Sequence, residues 1–397
     1  MRDRILYYIL FVSLLAASSC TEPYALQTNT YEDALVVEAT LTNEFKKQEI
    51  KLTRTTRLEE SAPAIETGAI VFVTDNMGNS YDFEESNGKY LSTTEFEAMP
   101  GRIYQLHIAT ANGKSYTSTQ EKLTTVNEMQ SIIPSVVTRD GVRGVEMNVN
   151  SFDPTNTSKY YRYEYEETYK IIAPEWDDEK AILTPGEPHQ GILVVPRVGE
   201  TRTCYTTKNS DEILLASTTG LSEDRVAFPI RFISNQNYII THRYSILVRQ
   251  YVQNLAAYTF YKTLKKISGN GSILSQTQPG FFNGNLKCVE NPDEKVIGFF
   301  DVTTVSSKRI FFNYSDLFPG EPLPPYFTDC TIREFKFCFD QSADPACKGA
   351  ALISIVGSGD LVYVDSSGND TFFYMVAPPC GDCTRFSSNV KPPFWID

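Results

Sequence analysis

Between residues 35 and 125 apolar side chains return at every second position, and the runs are cut by short polar turns. In IYQLHIA, Tyr104, Leu106 and Ile108 alternate with Gln105 and His107. In EIKLTR, Ile50 and Leu52 alternate with Lys51 and Thr53, and AIVFVTD reads as a buried run. Asn76-Met77-Gly78-Asn79, Asn87-Gly88 and Asn112-Gly113 punctuate the series. A period of two places one set of side chains on one face, which a helix cannot do, and Asn-Gly pairs supply the positive φ angles of tight hairpins. The spacing predicts an immunoglobulin-like β-sandwich over 35–125.

The remainder is also strand-forming. YYRYEYEETYKI, RYSILVRQYVQ and KVIGFFDVTTVSSKRIFFN are rich in Tyr, Val, Ile, Phe and Thr. The rhythm of Tyr244, Ile246 and Val248 is like a strand of a fibronectin type III module. These segments predict a second β domain over 126–312. One helix interrupts it near 255–267: Asn254 caps it, Tyr258, Tyr261 and Leu264 form a stripe, three lysines lie towards its end, and Gly269 stops it. Residues 313–397 read as a loop-rich, Cys-bearing segment with a short strand pair around LVYVDSSGNDTFFYMV. Gly357-Ser358-Gly359 reads as hairpin chemistry between two strands. The fold class expected is therefore mainly β, with one inserted helix and a disulfide-bearing C-terminal segment. The hydrophobic content of 41% and 47 Tyr and Phe residues suit packed cores rather than disorder.

The first residues carry a separate signal. Arg2 and Arg4 precede an apolar run that ends in LLAASSC. The run is shorter than the roughly 20 residues a spanning helix needs. Small residues directly before Cys20 resemble a bacterial lipobox, which predicts a lipoprotein signal at 1–19, lipidation of Cys20 and a tether over 20–34. Loss of 1–19 removes two arginines and one aspartate, so the net charge moves from −13 to −14. That acidity argues against nucleic acid as a partner.

Export favours disulfides among Cys204, Cys288, Cys330, Cys338, Cys347, Cys380 and Cys383. Seven is odd, so one thiol is left over. Cys204 and Cys288 flank one domain and are expected to pair. Cys380-Gly-Asp-Cys383 could be a redox pair or half of a zinc site, but no βαβ pattern surrounds it, and structural disulfides are the preferred reading. His107, His189 and His242 are not at metal-ligand spacing, and each reads as exposed or hydrogen-bonded. No metal or cofactor is expected. Glu175–Glu179 and Asp365–Asp370 are acidic but lack calcium-loop spacing. Nucleophile elbows, P-loops and dinucleotide fingerprints are missing from the sequence. Trp176, inside the acidic stretch, and Phe394 and Trp395 near the end of the sequence are the aromatic binding candidates.

Taken in order, the lipobox, LVVEATLT, GAIVFVTD, GRIYQLHIATANGKSY, YYRYEYEET, RYSILVRQY, GNLKCVENPDEKVIGFFDVTTVSSKRIFF and the terminal CGDC and PPFW resemble the lipoprotein family catalogued as domain of unknown function 4249. The resemblance implies an outer-membrane lipoprotein of Gram-negative bacteria, anchored through Cys20 and accessory to a TonB-dependent receptor in nutrient uptake. It transfers no catalytic residues. The expected function is non-enzymatic binding. A structural or adhesive surface protein and a surface hydrolase acting on peptide or glycan are the alternatives.

Overall fold

The computed structural model describes residues 33–55, 63–185, 191–269, 284–338, 349–367 and 371–397. Cys20, the signal and most of the tether, His189 and Cys347 lie outside the described residues, as do the last three residues of the Asp365–Asp370 stretch.

The alternating segments fold as strands. Val71 and Val73 point inward from Ile70–Asp75, and Tyr104, Leu106 and Ile108 point inward from Ile103–Ala109. These two strands pair antiparallel, so their apolar faces form one surface. Asn87 and Gly88 both take positive φ and join Ser80–Ser86 to Lys89–Ser92, as a primed hairpin turn requires. The second hairpin of this kind, Met129–Arg139 with Val142–Asp153, turns at Asp140-Gly141 with φ of 48° and 79°. That pair is also a strong local turn signal, and the sequence reading passed over it.

The main departure from the sequence boundaries is the 18-residue strand Val296–Asn313. Its first half runs parallel to Leu35–Thr42, and its second half runs antiparallel to Arg243–Gln253. One strand therefore belongs to two cores. Phe300 and Val302 join the first core, together with Leu286 and Cys288, while Phe312 joins the second. A parallel partner needs a long crossover, and here it runs through the other strands of the first unit and most of the second. The strand changes partner at Thr303–Thr304, and within its first half Gly298 lets it approach Val37 closely: its φ is 146°, and a Cβ there would sit 2.2 Å from the Val37 carbonyl oxygen. Residues 286–303, read from sequence as second-domain, thus complete the first unit and fuse both units into a single 14-stranded sheet.

The second unit packs the inner face of that sheet on a three-stranded sheet of Met129–Arg139, Val142–Asp153 and Asp224–Ser234. Its largest buried side chains include Tyr161, Tyr163, Tyr169 and Tyr244.

The helix Leu255–Gly269 forms as the pattern predicts, with the Ala257 amide donating to Asn254 Oδ1 at 2.8 Å. Its buried stripe is Ala257, Phe260, Tyr261 and Leu264, packed on Phe299. Tyr258, expected in that stripe, is rotated one position off it and leans on Tyr160.

Near the C-terminal end the sheet of Arg333–Lys336, Val362–Ser367 and Phe372–Val376 is covered by a helix, Gly349–Ser358. Gly357-Ser358-Gly359 is therefore the end of a helix, with Gly359 at φ 74°, and not a hairpin. The error has a local cause, because ALISIV suits a buried strand as well as a helix. Leu352, Tyr363, Phe373 and Met375 form a small core there, which the hairpin Glu179–Thr184 with Gly191–Pro196 extends through Ala181, Ile192 and Val194.

Candidate functional site

The cysteines decide how the last segment sits. Cys204 bonds Cys383, and Cys330 bonds Cys380. The expected Cys204–Cys288 pair does not form: Cys204 lies in the second core, and Cys288 is a buried free thiol in the first. Burial pushes the Cys288 thiol pKa up, which favours the protonated thiol. Cys338 is also disulfide-bonded. The two cysteines of the C-x-x-C are joined to different partners, which leaves no dithiol for redox exchange. The segment is thereby pinned across the second unit, and the Tyr205 amide donates to the Ser388 carbonyl at 2.7 Å.

That pinning disposes of the three aromatic candidates as free binding groups. Trp176 is half-buried on the second core; its indole nitrogen donates to Thr201 Oγ1 at 2.9 Å, and Arg202 covers its ring. Trp395 is 5% exposed and meets Tyr205 and Phe311 edge-on. The Arg309 guanidinium lies 3.5 Å from the centre of the Phe394 ring. In a chain rich in strands, large rings beside a disulfide-tied segment are the obvious filler for the gap beneath it.

The histidines are also accounted for. His107 Nε2 lies 3.0 Å from Thr74 Oγ1, and its ring stacks on Phe72. His242 is half-buried, and burial lowers its pKa, as does the neighbouring Lys170. Among the described residues no three His, Cys, Asp or Glu side chains are grouped to hold a metal.

The exposed aromatic surface lies elsewhere. Phe327 is 44% exposed and Phe386 36% exposed, and their centroids are 4.8 Å apart. Phe327 also meets Tyr326 at 4.8 Å and Tyr238 at 4.9 Å, and Tyr238 meets the buried Tyr169. Tyr326 donates its hydroxyl to the Pro379 carbonyl at 3.0 Å. The four rings form a ladder from the second core to the surface. Phe327 precedes Cys330 by three residues, and Phe386 follows Cys383 by three. Each exposed ring is thus held close to a disulfide. An aromatic three residues from a cysteine, as in PYFTDC and CTRF, is the signal that could have pointed to them.

A second, polar locus lies where the helix Leu255–Gly269 covers the shared strand. Asp301 is fully buried, and Gln253 Nε2 donates to its Oδ2 at 3.1 Å. The Arg162 guanidinium is sandwiched by Tyr251 and Tyr261, 4.3 and 4.8 Å from their centroids. It pairs with Glu164, whose Oε2 accepts from the Tyr251 hydroxyl at 3.0 Å. Burial pushes Asp301 up to about 6, although Arg162 opposes this. Glu164 moves the other way: desolvation is outweighed by Arg162 and the Tyr251 hydrogen bond. Asp301 Oδ1, Arg162 Nε and Gln253 Oε1 have no hydrogen-bond partner. A cleft of about 230 Å³ opens beside this cluster, lined by Thr40, Gln48, Arg162 and Glu164 among others. Asp301 is sealed beneath the helix, and Glu164 is held by Arg162 and Tyr251. Glu38 and Glu49 also line the cleft, paired with Lys51 at 3.0 Å and Lys89 at 2.7 Å.

The family model described as "Domain of unknown function (DUF4249)" matches residues 21–309. No curated protein matches the chain. Among solved structures, a trypsin-activated alpha-2-macroglobulin from Escherichia coli is 9% identical, with a TM-score of 0.18, covering 79% of this chain and 17% of that one. A pullulanase complexed with maltotriose from Anoxybacillus sp. LM18-11 is 13% identical, with a TM-score of 0.14, covering 54% of this chain and 24% of that one. The chain therefore spans less than a quarter of either protein's length.

Proposed function

We propose, for a chain that belongs to the DUF4249 family, the role of a lipid-anchored, non-enzymatic accessory protein at the outer membrane, one that binds a TonB-dependent receptor during nutrient uptake. The observation that carries the binding reading is the disulfide-framed aromatic surface of Tyr238, Tyr326, Phe327 and Phe386. Exposed rings that are already ordered lose little conformational entropy on association, and aromatic anchors dominate the energetics of protein interfaces. A rigid surface of this kind suits a protein partner better than a small solute, because it is a patch and not an enclosure. Anchoring rests on LLAASSC, and the receptor as partner rests on the family resemblance. The hydrolase alternative finds less support, since the carboxylates that line the Arg162–Glu164 cleft are each paired with a cation, Glu38 with Lys51, Glu49 with Lys89 and Glu164 with Arg162.

The test is a gentle detergent pull-down of tagged full-length protein from its native membranes. The wild type is expected to bring down a TonB-dependent receptor in stoichiometric amount. A Phe327→Ser/Phe386→Ser double variant should recover at least about tenfold less, as loss of two aromatic anchors predicts. Cys20→Ala should deplete the complex by removing the chain from the membrane. A wild type that comes down alone overturns the accessory reading. Equal recovery with the double variant overturns the aromatic surface as the interface.

A further inference from the structure

A cavity of about 360 Å³ lies at one end of the shared sheet, and its lining, which includes Lys170, His242, Arg243 and Asp397, shares no residue with the aromatic surface. Its position follows from strand register. Tyr169 pairs with Tyr244 and Arg243 with Asn313, so Lys170 and Arg243 emerge side by side just beyond a buried tyrosine pair. His242 precedes Arg243 directly. Three nitrogen-bearing side chains therefore converge on one hollow in a chain whose net charge is −13. Thr241 Oγ1, also at this wall, is buried with no hydrogen-bond partner.

The chain itself supplies oxygens to these cations. Asp397 Oδ1 lies 3.8 Å from Lys170 Nζ, and its Oδ2 is 2.5 Å from Lys391 Nζ. Arg243 donates from Nε to the Ile396 carbonyl and from a terminal nitrogen to Asn313 Oδ1 at 3.2 Å. The Lys170–Asp397 contact is a long ion pair with both partners partly in solvent, so it is weak, and the carboxylate can leave Lys170 while Lys391 and the Trp395 indole nitrogen, 3.2 Å from Oδ1, still hold it. A guanidinium and an ammonium set around a hollow select oxyanions, the first by its planar donors and the second as a point charge.

We propose that this cavity is a binding site for a small oxyanion, a carboxylate- or phosphate-bearing ligand held by Lys170, His242 and Arg243, and that the Asp397 side chain is a self-supplied occupant which the ligand displaces. The site is separate from the aromatic surface and does not depend on the receptor reading.

The experiment is calorimetric titration of the full-length Cys20→Ala protein with inorganic phosphate and with citrate at constant ionic strength. A parallel arm measures co-sedimentation with phosphatidylglycerol vesicles against phosphatidylcholine vesicles. Saturable binding of either free anion is expected. Lys170→Ala should weaken it by about tenfold, the loss of one well-placed charge. Asp397→Asn should tighten it several-fold, because the competing carboxylate is gone. Retention on phosphatidylglycerol alone, with the same response to the two variants, keeps the site and assigns its oxyanion to a lipid headgroup. Binding that is absent, or indifferent to both substitutions, overturns the proposal. So does an Asp397→Asn protein that binds less tightly, since Asp397 would then be structural. Lys170→Arg, which keeps the cation, is expected to restore most of the affinity that Lys170→Ala loses, which separates loss of charge from a folding defect.

Discussion

In the first unit most inward positions are aliphatic, Leu52, Val71, Val73, Leu106 and Ile108 among them, with Tyr90, Tyr104 and Tyr116 fully buried beside them. In the second, the same kind of sheet buries Tyr161, Tyr163, Tyr169 and Tyr244. An aliphatic side chain asks only to leave water, at roughly 1.5–3 kcal/mol for full burial. A buried tyrosine must also find a partner for its hydroxyl. The second unit provides them: Tyr161 donates to Asp224 at 2.9 Å, Tyr163 to Gln250 at 3.0 Å and Tyr244 to Glu167 at 2.7 Å. Each satisfied hydroxyl ties one strand to another in one geometry. The first core is the more aliphatic of the two, and its own buried tyrosines are satisfied near its edges, Tyr90 donating to the Glu66 carbonyl and Tyr116 to Glu294. The second is specific in its side-chain pairings, and it alone among the two carries the Cys204–Cys383 bond. The shared strand Val296–Asn313 makes the two answer to each other.

Both tryptophans report on the second unit and its attached segment, because Trp176 and Trp395 pack there. The largest expected effect uses this. Phe300→Ala removes a ring from the first core, at about 3–5 kcal/mol. If the shared strand couples the units, the denaturation midpoint read by tryptophan fluorescence will fall although no tryptophan touches Phe300. A tryptophan transition unmoved by this substitution would split the molecule into two independent folding units.

A somewhat smaller effect separates the units by redox. Cys204→Ser opens the Cys204–Cys383 bond, which spans 179 residues of sequence, and should cost about 2–5 kcal/mol. Limited proteolysis should then cut within 384–397 while the region 35–118 stays protected. Early cleavage in the first unit would mean that the bond stabilises the whole sheet and not one side of it.

The smallest of the three sharpens the contrast in charge. Asp75, in the first unit, is lowered from 3.8 to about 2: desolvation opposes ionisation, but Asn79, the Met77 amide and Arg102 outweigh it. Its stabilisation is present above pH 3.8 and is lost as pH falls towards 2. Asp301, at the junction, is raised from 3.8 to about 6 by burial. The folded protein holds its proton where the unfolded chain has released it, so this group's contribution falls as pH rises from about 4 to 6. Asp301→Asn should flatten that slope and change stability at pH 7 by about 1–3 kcal/mol. Denaturant midpoints at intervals between pH 4 and 7 provide the check, and an unchanged slope would assign the dependence to another carboxylate.

Local pattern made the strands of the first unit legible, because Val71, Val73, Leu106 and Ile108 alternate within single short segments and Asn87-Gly88 closes a hairpin by its own backbone preference. Asn254 and the helix after it were legible for the same reason, although the buried stripe was misread by one position at Tyr258. The aromatic candidates were a different case. Trp176 and Trp395 carry no local mark of whether they face water or the core, and packing turned both inward. Phe327 and Phe386, spread over 59 positions of sequence, are neighbours only because two disulfides bring their loops together.

What the sequence determined by itself is the mainly β character, many of the turn positions and the helix capped by Asn254, since each rests on interactions within a few residues of chain. The tertiary structure decided which cysteines meet, that Val296–Asn313 serves two cores, and that Arg162 and Asp301 share a buried junction. Those outcomes depend on contacts between segments tens to hundreds of residues apart, where closing the loop costs entropy that only the assembled sheet repays. No short window of sequence contains both partners.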